Sequence, residues 1–93
     1  MYTDKCLVIG IGTLVSIVIP SGRFGRIEDV VVAEGYRGHG IGREITKRLI
    51  TEARELELQR VDLTSHPTRE AANKLYAALG FVKRDTNLYR LAL

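Results

Sequence analysis

Arg37-Gly38-His39-Gly40-Ile41-Gly42 is a glycine-rich stretch that separates two segments of different periodicity. An apolar run ending in Val30-Val31-Val32 precedes it, and an amphipathic segment follows. This order predicts a strand, a tight turn and a helix. Such a turn exposes unpaired N–H groups at a helix N-terminus, where the helix dipole favours negative charge, and its glycines let phosphates approach the backbone closely. The stretch therefore predicts a pyrophosphate-binding loop with Arg37 and His39 at its rim. The alternative is a flexible surface turn before a helix.

Two familiar phosphate-binding loops are excluded by the residues themselves. No Gly-Lys-Ser/Thr sequence follows the stretch, so it is not a Walker A loop. Its spacing is Gly-x-Gly-x-Gly, which differs from the Gly-x-Gly-x-x-Gly spacing of dinucleotide-binding folds. The loop therefore belongs to neither class.

The residues before the loop predict a β-hairpin, and those after it predict a helix and a further strand. Leu7–Ile19 and Arg26–Val32 are rich in β-branched residues and predict two antiparallel strands. Gly40–Leu58 carries apolar residues at helical spacing, and Arg60–Ser65 predicts a third strand. Because a helix connects it to the second strand, the third strand is expected to run parallel to the second.

The C-terminal third predicts a second helix and a second hairpin. Arg69–Leu79 has helical spacing, with Thr68 as its expected cap and Gly80 just past its end. Its apolar face is expected to pack inward through Ala71, Ala72, Leu75 and Leu79. Phe81–Arg84 and Leu88–Leu93 predict a terminal pair of strands. The fold class is therefore α/β of the α+β type, with a mixed, mostly antiparallel sheet in the order β-β-α-β-α-β-β. The 93 residues, 1–93, are expected to form a single domain.

A second motif, Leu75-Tyr76 followed by Gly80-Phe81, stands downstream of the loop. Together with Arg-x-x-Gly-x-Gly after an apolar strand, it resembles the GNAT superfamily of acetyl-CoA-dependent N-acetyltransferases over roughly residues 27–93. The run Ile27-Glu28-Asp29-Val30-Val31-Val32 is particularly similar to that of glucosamine-6-phosphate N-acetyltransferases. Many bacterial members share this run, so it does not fix the acceptor.

The resemblance implies acetyl transfer from acetyl-CoA to a primary amine by direct attack in a ternary complex. It implies that main-chain groups of Val30, Val31 and Val32 pair with the pantetheine amides. It also implies a second set of cofactor contacts in the loop: Arg37, Gly38, His39, Gly40, Ile41, Gly42 and Arg43. Tyr76 becomes the proton donor to the departing thiolate, a role that suits a phenol. The alternative for Tyr76 is an aromatic side chain packed into the core.

Glu28 and Asp29 are the candidate bases, or contacts to the acceptor amine, because acids in an apolar strand invite a catalytic interpretation. Successive strand residues point to opposite faces, so only one of the two is expected to face the cleft. The alternatives are an ion pair with a nearby arginine and simple exposure at an edge. Many relatives carry asparagine seven residues before the tyrosine, where this chain has Arg69. Asn73 and His66 are weaker candidates for contacts to cofactor and acceptor.

Composition restricts the remaining classes of function. The net charge of +3 comes from interleaved basic and acidic residues with no run of five like charges, so no nucleic-acid partner is expected. Cys6 is the only cysteine and is expected to be a small buried hydrophobe, and the two histidines give no basis for a metal site. The apolar segment Cys6–Ile19 is shorter than the roughly 20 residues of a spanning helix, so we expect a cytoplasmic protein without membrane contact.

The front of the chain departs from the family pattern. The family normally begins with a strand, two helices and another strand, which cover one sheet face and help form the acceptor pocket; roughly those elements are missing here. The resemblance thus implies a truncated GNAT fold with an uncovered face, and we expect a homodimer that buries it. The alternative is a natural or cloned fragment. The rival function is a non-catalytic acyl-CoA-binding or protein-interaction module derived from the same fold.

Overall fold

The computed structural model of the protein describes residues 2–4 and 7–93. Four strands form one sheet in the order β1-β2-β3-β4: β1 Tyr2–Asp4, β2 Leu7–Ile19, β3 Gly22–Val32 and β4 Val61–Asp62. The helices are α1, Ile41–Glu55, and α2, Glu70–Ala78, and a 3₁₀ turn at Glu34–Tyr36 precedes α1. The α+β class predicted from the sequence is confirmed. The expectation for Cys6 lies outside the described residues.

The sheet is mixed, as predicted. β1, β2 and β3 pair antiparallel, while β3 and β4 pair in parallel through Gly25 opposite Val61 and Arg26 opposite Asp62. The predicted third strand is therefore correct in place and direction, but it is only two residues long. β1 was not expected, because three residues give too little pattern to be recognised in a sequence.

Helix α1 packs directly against β2, and two glycines of that strand make the close approach possible. A Cβ at Gly12 would stand 2.6 Å from Ile45 Cγ2, and one at Gly10 would stand 2.8 Å from Ile45 Cδ1. Ile45 and Ala53 on the helix are each 3% exposed, and they share the core with Ile27 of β3. This contact holds the N-terminus of α1 at the end of β3, where the predicted loop lies.

The predicted terminal hairpin is wrong. Within the part of the chain that the structure describes, residues 81–93 form no strand, so neither Phe81–Arg84 nor Leu88–Leu93 is paired. The alternating apolar residues of this tail remain exposed, Leu91 at 82%. β propensity reflects packing against a neighbouring strand. The adjacent edge, β4, is too short to provide such a neighbour.

The predicted cap of the second helix is also wrong. Arg69, not Thr68, is the N-cap of α2, and no side chain caps this helix. The Thr68 hydroxyl instead lies 2.8 Å from His66 Nδ1, and the Thr68 N–H donates to the same nitrogen. A local side-chain hydrogen bond has therefore replaced the helix cap. The other end agrees with the sequence, since Gly80 follows the C-cap in a left-handed conformation with φ of 98°.

Candidate functional site

A β-bulge in β3 lies at the two acidic candidates, Glu28 and Asp29. Ile11 pairs with Val31 and Thr13 pairs with Glu28, so two steps along β2 correspond to three along β3. The extra residue is accommodated at Asp29, whose φ of 53° is left-handed. The bulge breaks the alternation of the strand, and both Glu28 and Asp29 line one small cleft. Five successive residues, 27–31, line this cleft, so the expectation that only one of the two acidic side chains faces it stays a prediction.

The glycine-rich loop leads into α1 with an open N-terminus. Gly38 and Gly40 have φ of 83° and 76°, and Gly40 is the N-cap. No side chain caps this helix, and the Glu44 N–H is the donor to the Gly40 carbonyl. The three preceding N–H groups of the first turn therefore face outward. A Cβ at either glycine would meet nothing within 4 Å, so the space before these donors is open.

Arg37 connects the loop to the strand that precedes it. Its Nε donates to the carbonyl oxygen of Val32 at 3.4 Å. Beyond Arg26, β3 has no strand beside it on the β4 side within the described chain, because β4 pairs only with Gly25 and Arg26. Apart from the Val32 carbonyl, which accepts from Arg37, the main-chain groups along that edge of residues 27–32 are thus available to an extended ligand.

A cleft of about 810 Å³ joins the end of β3, the loop and α2. Its lining includes these predicted site residues: Val30, Val31, Val32, Arg37, Gly38, Gly40, Ile41, Gly42, Arg43 and Tyr76. His39 belongs to the loop but is not part of the lining.

The opposite wall comes from α2, and most of it is formed by residues that the sequence assigned to the core. Ala71, Ala72 and Leu75 were expected to pack inward, yet no residue of α2 is buried, and these three line the large cleft. Helical spacing identifies the apolar face of a helix, but it does not distinguish a core from a cleft wall. The small alanines leave room between α2 and the loop.

The Tyr76 motif is, in physical terms, a helix C-cap. The Phe81 N–H donates to the Tyr76 carbonyl at 3.0 Å, and the Gly80 N–H donates to the Ala77 carbonyl at 3.1 Å. These two bonds form a Schellman motif, which requires the left-handed glycine. The rings of Tyr76 and Phe81 then meet edge to face with centroids 5.8 Å apart. The spacing Tyr-x-x-x-Gly-Phe therefore fixes the tyrosine ring at the end of α2.

Tyr76 stands where the two clefts meet. It lines the large cleft and also a smaller one of about 280 Å³, together with Val30, Val31 and Arg69. The smaller cleft adds Glu28, Asp29 and Thr64. A ligand in the large cleft and a ligand in the small cleft would therefore approach each other beside the phenol.

The charged groups of the small cleft differ in their partners. Arg26 Nε forms an ion pair with Glu28 Oε1, which is one of the alternatives that the sequence left open. Among the residues that the structure describes, the side chains of Asp29 and Arg69 make no ion pair or hydrogen bond. The cleft thus presents one carboxylate and one guanidinium to a ligand.

His66 and Asn73 support the segment that leads into α2. Asn73 Nδ2 donates to the His66 carbonyl at 3.1 Å, and His66 Nδ1 accepts from the Thr68 N–H at 3.2 Å. Neither residue lines the two clefts described above.

The described residues contain no cluster of three or more His, Cys, Asp or Glu side chains that could hold a metal ion. Over the same residues, no helix has the length and apolar character needed to cross a membrane.

Comparison with known proteins gives the family. Residues 2–81 match the family model described as the acetyltransferase (GNAT) family, and the chain belongs to this family. It is 34% identical over 67 residues to glucosamine 6-phosphate N-acetyltransferase 1 of Oryza sativa subsp. japonica, a match that covers 72% of this chain and 39% of that protein. It is 39% identical over 71 residues to human N-alpha-acetyltransferase 30, covering 76% of this chain and 19% of that protein.

A solved structure shows the same fold. A predicted acetyltransferase from Clostridium acetobutylicum, solved with acetyl-CoA, superposes with a TM-score of 0.81 at 23% identity, over 96% of this chain and 60% of the other. The chain therefore spans less than two thirds of the length of each of these relatives. The family supports an acetyl-transferring enzyme. The two named relatives differ in their acceptors, so similarity alone does not identify the acceptor.

Proposed function

We propose that this chain transfers an acetyl group from acetyl-CoA to a primary amine, by direct attack within a ternary complex. The observation that carries the proposal is the meeting of the two clefts at Tyr76: one is lined by the phosphate-type loop, the other by two carboxylates. Family membership and the Clostridium acetobutylicum structure solved with acetyl-CoA support the choice of cosubstrate.

The large cleft has the groups that a coenzyme A thioester needs. The first-turn N–H groups of α1, with Arg37 and Arg43 beside them, suit a pyrophosphate. The unpaired edge of Val30–Val32 suits the pantetheine amides, which would add to β3 like a short strand. Because a Cβ at Gly38 or Gly40 would point into open space, the backbone there is accessible to a ligand.

The small cleft and Tyr76 have the groups that the chemistry needs. Amine attack forms a C–N bond and breaks the C–S bond of the thioester, so one proton must leave the nitrogen and one must reach the sulfur. Asp29 takes the first proton in our proposal, because Glu28 is held by Arg26. Tyr76 donates the second. Main-chain N–H groups at the end of β3 stabilise the oxyanion.

Titration of acetyl-CoA into the full chain and into Gly42→Ala tests the cofactor cleft. Gly42 lines this cleft, and a Cβ there would meet only Val32 Cγ2 at 3.8 Å, so the substitution should fold normally while its methyl group obstructs the cleft. We expect acetyl-CoA affinity to fall about tenfold, roughly the value of one charge-assisted hydrogen bond. Gly35→Ala is the matched control, since its Cβ would meet nothing within 4 Å and Gly35 does not line the cleft. A folded chain that does not bind acetyl-CoA would contradict the proposal.

The rival function is a non-catalytic acyl-CoA-binding module derived from the same fold. Release of free thiol from acetyl-CoA on addition of amines distinguishes the two. Amine-dependent release supports the enzyme. Tight binding without release from any amine supports the module.

A further inference from the structure

The small cleft differs from the large one in the charges that it presents. Its acidic side is Glu28 and Asp29, and its basic side is Arg69 at the start of α2. Arg26 already pairs with Glu28, which leaves Asp29 and Arg69 as opposite charges without partners among the described residues. No ion pair within 4.0 Å joins these two, and both line the same cleft, so each charge is open to a ligand there.

Resting on the proposed function, we infer that the acceptor is a small amine that also carries an anionic group, a phosphate or a carboxylate, and that Arg69 binds this anion. A simple monoamine would leave the guanidinium without a partner. A molecule with both charges satisfies Asp29 and Arg69 together, and complementary charges select such a ligand over its neutral analogue.

The size and place of the cleft agree with this class of acceptor. A volume of about 280 Å³ lies just below the roughly 300 Å³ at which small-molecule pockets begin, which suits a small acceptor. Because Tyr76 lines both clefts, an amine held at Asp29 would lie near the phenol, and the anion would lie toward Arg69 on α2.

Arg69 also lines the large cleft, so a role toward the cofactor must be separated from a role toward the acceptor. The cofactor loop already has two arginines, Arg37 and Arg43, beside the N-terminus of α1. Arg69 stands on the opposite wall, at the N-terminus of α2. An acceptor role changes the discrimination between acceptors, whereas a cofactor role changes acetyl-CoA affinity.

The variant Arg69→Asn tests the inference without weakening the fold. Arg69 is the N-cap of α2 and makes no side-chain cap, while asparagine is among the preferred N-cap residues. The bond from the Asn73 N–H to the carbonyl of residue 69 involves only backbone and is retained. Arg69→Lys keeps the charge. Arg84→Asn is the matched control, because it removes an exposed arginine of the tail that lines neither cleft.

The readout is equilibrium binding of matched probes to the full chain, by calorimetry with and without saturating coenzyme A. The phosphate pairs are glucosamine 6-phosphate against glucosamine and phosphoethanolamine against ethanolamine. The carboxylate pair is β-alanine against propylamine. We expect at least one type of anion to improve binding by about tenfold in the unmodified chain and in Arg84→Asn. Arg69→Asn should remove this preference, and Arg69→Lys should keep part of it.

Several outcomes overturn the inference. They are equal binding within every pair, a preference that persists in Arg69→Asn, and a loss of acetyl-CoA affinity in Arg69→Asn with unchanged discrimination between probes. Binding does not require turnover, so this result is independent of the proposed reaction. A chain that discriminates the probes but releases no thiol would keep the inference and contradict the proposed function.

Discussion

Asp29 is the residue on which the geometry of the small cleft depends. Its left-handed backbone, at φ of 53°, is uncommon for a residue with a Cβ and costs roughly 1 kcal/mol. Strained residues of this kind concentrate at functional sites. At Asp29 the strain coincides with the bulge, and Asp29 and Glu28 both belong to the lining of the small cleft.

We predict that substitutions of Asp29 change the free energy of unfolding and the enzymatic activity independently of each other. Asp29→Asn should change the free energy of unfolding by less than about 0.5 kcal/mol, because asparagine tolerates the left-handed region. Asp29→Gly should stabilise the fold by up to about 1 kcal/mol, and Asp29→Val should destabilise it by about 1–2 kcal/mol. Both Asn and Gly variants should lose amine-dependent thiol release by about 100-fold. Urea unfolding and the thiol assay measure the two effects.

Glu28→Gln is the comparison for that experiment. It breaks the ion pair between Glu28 and Arg26. The Arg26 and Glu28 side chains are 35% and 40% exposed, so the change in the free energy of unfolding should be small. If Glu28→Gln abolishes turnover while Asp29→Asn retains it, Glu28 is the base and the assignment to Asp29 is wrong.

Tyr76→Phe should remove the proton donor while keeping the aromatic packing. The ring contact with Phe81 at 5.8 Å does not involve the hydroxyl, so we expect normal unfolding and normal acetyl-CoA affinity. The turnover number should fall by about 10²–10³. Tyr89→Phe is the control, because Tyr89 is 87% exposed in the tail. Turnover equal to that of the unmodified chain would show that Tyr76 only packs.

At the residue scale, the loop and Tyr76 line one cleft, and both motifs were recognisable because they depend on local backbone geometry. The sequence did not predict the bulge at Asp29. A bulge adds one residue to one strand, and the alternation of residues in a sequence does not show where that residue is added. The alanines of α2 were misassigned to the core, since an apolar helix face looks the same beside a core and beside a cleft.

At the scale of the elements, the C-cap of α2 connects the fold to the site. Gly80→Ala should destabilise the chain by about 1 kcal/mol, because alanine is strained at φ of 98°. Because the cap also orients Phe81 against Tyr76, turnover should fall more than acetyl-CoA affinity. Gly80→Asn should show a smaller effect in both measurements. Thermal unfolding of Gly80→Ala and Gly80→Asn, followed by measurement of turnover and acetyl-CoA affinity, checks that the alanine variant has the larger effect. Equal stability of Gly80→Ala and the unmodified chain would contradict it.

The contact between α1 and β2 gives a second prediction at this scale. Gly12→Ala should cost about 1–3 kcal/mol by overpacking, because its Cβ would stand 2.6 Å from Ile45 Cγ2 in a side chain that is 3% exposed. The effect should extend to acetyl-CoA affinity, since α1 carries the loop.

The double variant Gly12→Ala/Ile45→Leu isolates this cause. Leucine has similar volume but lacks the γ2 methyl group, so the double variant should be more stable than the sum of the two single changes predicts. Strict additivity in urea unfolding would show that the clash does not explain the loss. Gly35→Ala remains the neutral control.

Elements with a strong internal pattern were predictable, and those that depend on a neighbour were not. Both helices and the β2–β3 hairpin were placed within a few residues, because helical spacing and a local turn specify them. Residues 81–93 have the alternation of strands but no adjacent edge long enough to pair with. A strand forms only when two segments pair, and a local sequence pattern describes only one of these segments.

At the scale of the whole molecule, the sheet has two different faces. Gly10 and Gly12 face α1. Because side chains alternate along a strand, Ile11 and the odd-numbered residues of β2 after Gly12 face away from α1. On that side Ile11, Val15 and Ile17 are 42%, 40% and 40% exposed. Ion-paired Arg26 and Glu28 lie on the neighbouring strand. An apolar surface flanked by a balanced pair of charges suits contact with a second copy of itself, which is the homodimer that the sequence predicted.

We predict that Val15→Lys shifts the chain from dimer to monomer in sedimentation equilibrium at micromolar concentration. A lysine at the centre of an apolar contact loses its hydration without gaining a partner, and two such charges would face each other across a symmetric interface. The fold should be retained, because Val15 is already 40% exposed in the single chain. Val82→Lys is the matched control, since Val82 is 80% exposed and lies in the tail.

A monomeric unmodified chain would contradict the dimer itself, whereas a dimer that survives Val15→Lys would place the interface on another surface. A dimer sensitive to Val15→Lys but not to Val82→Lys would establish that the sheet face away from α1 is covered by a second copy.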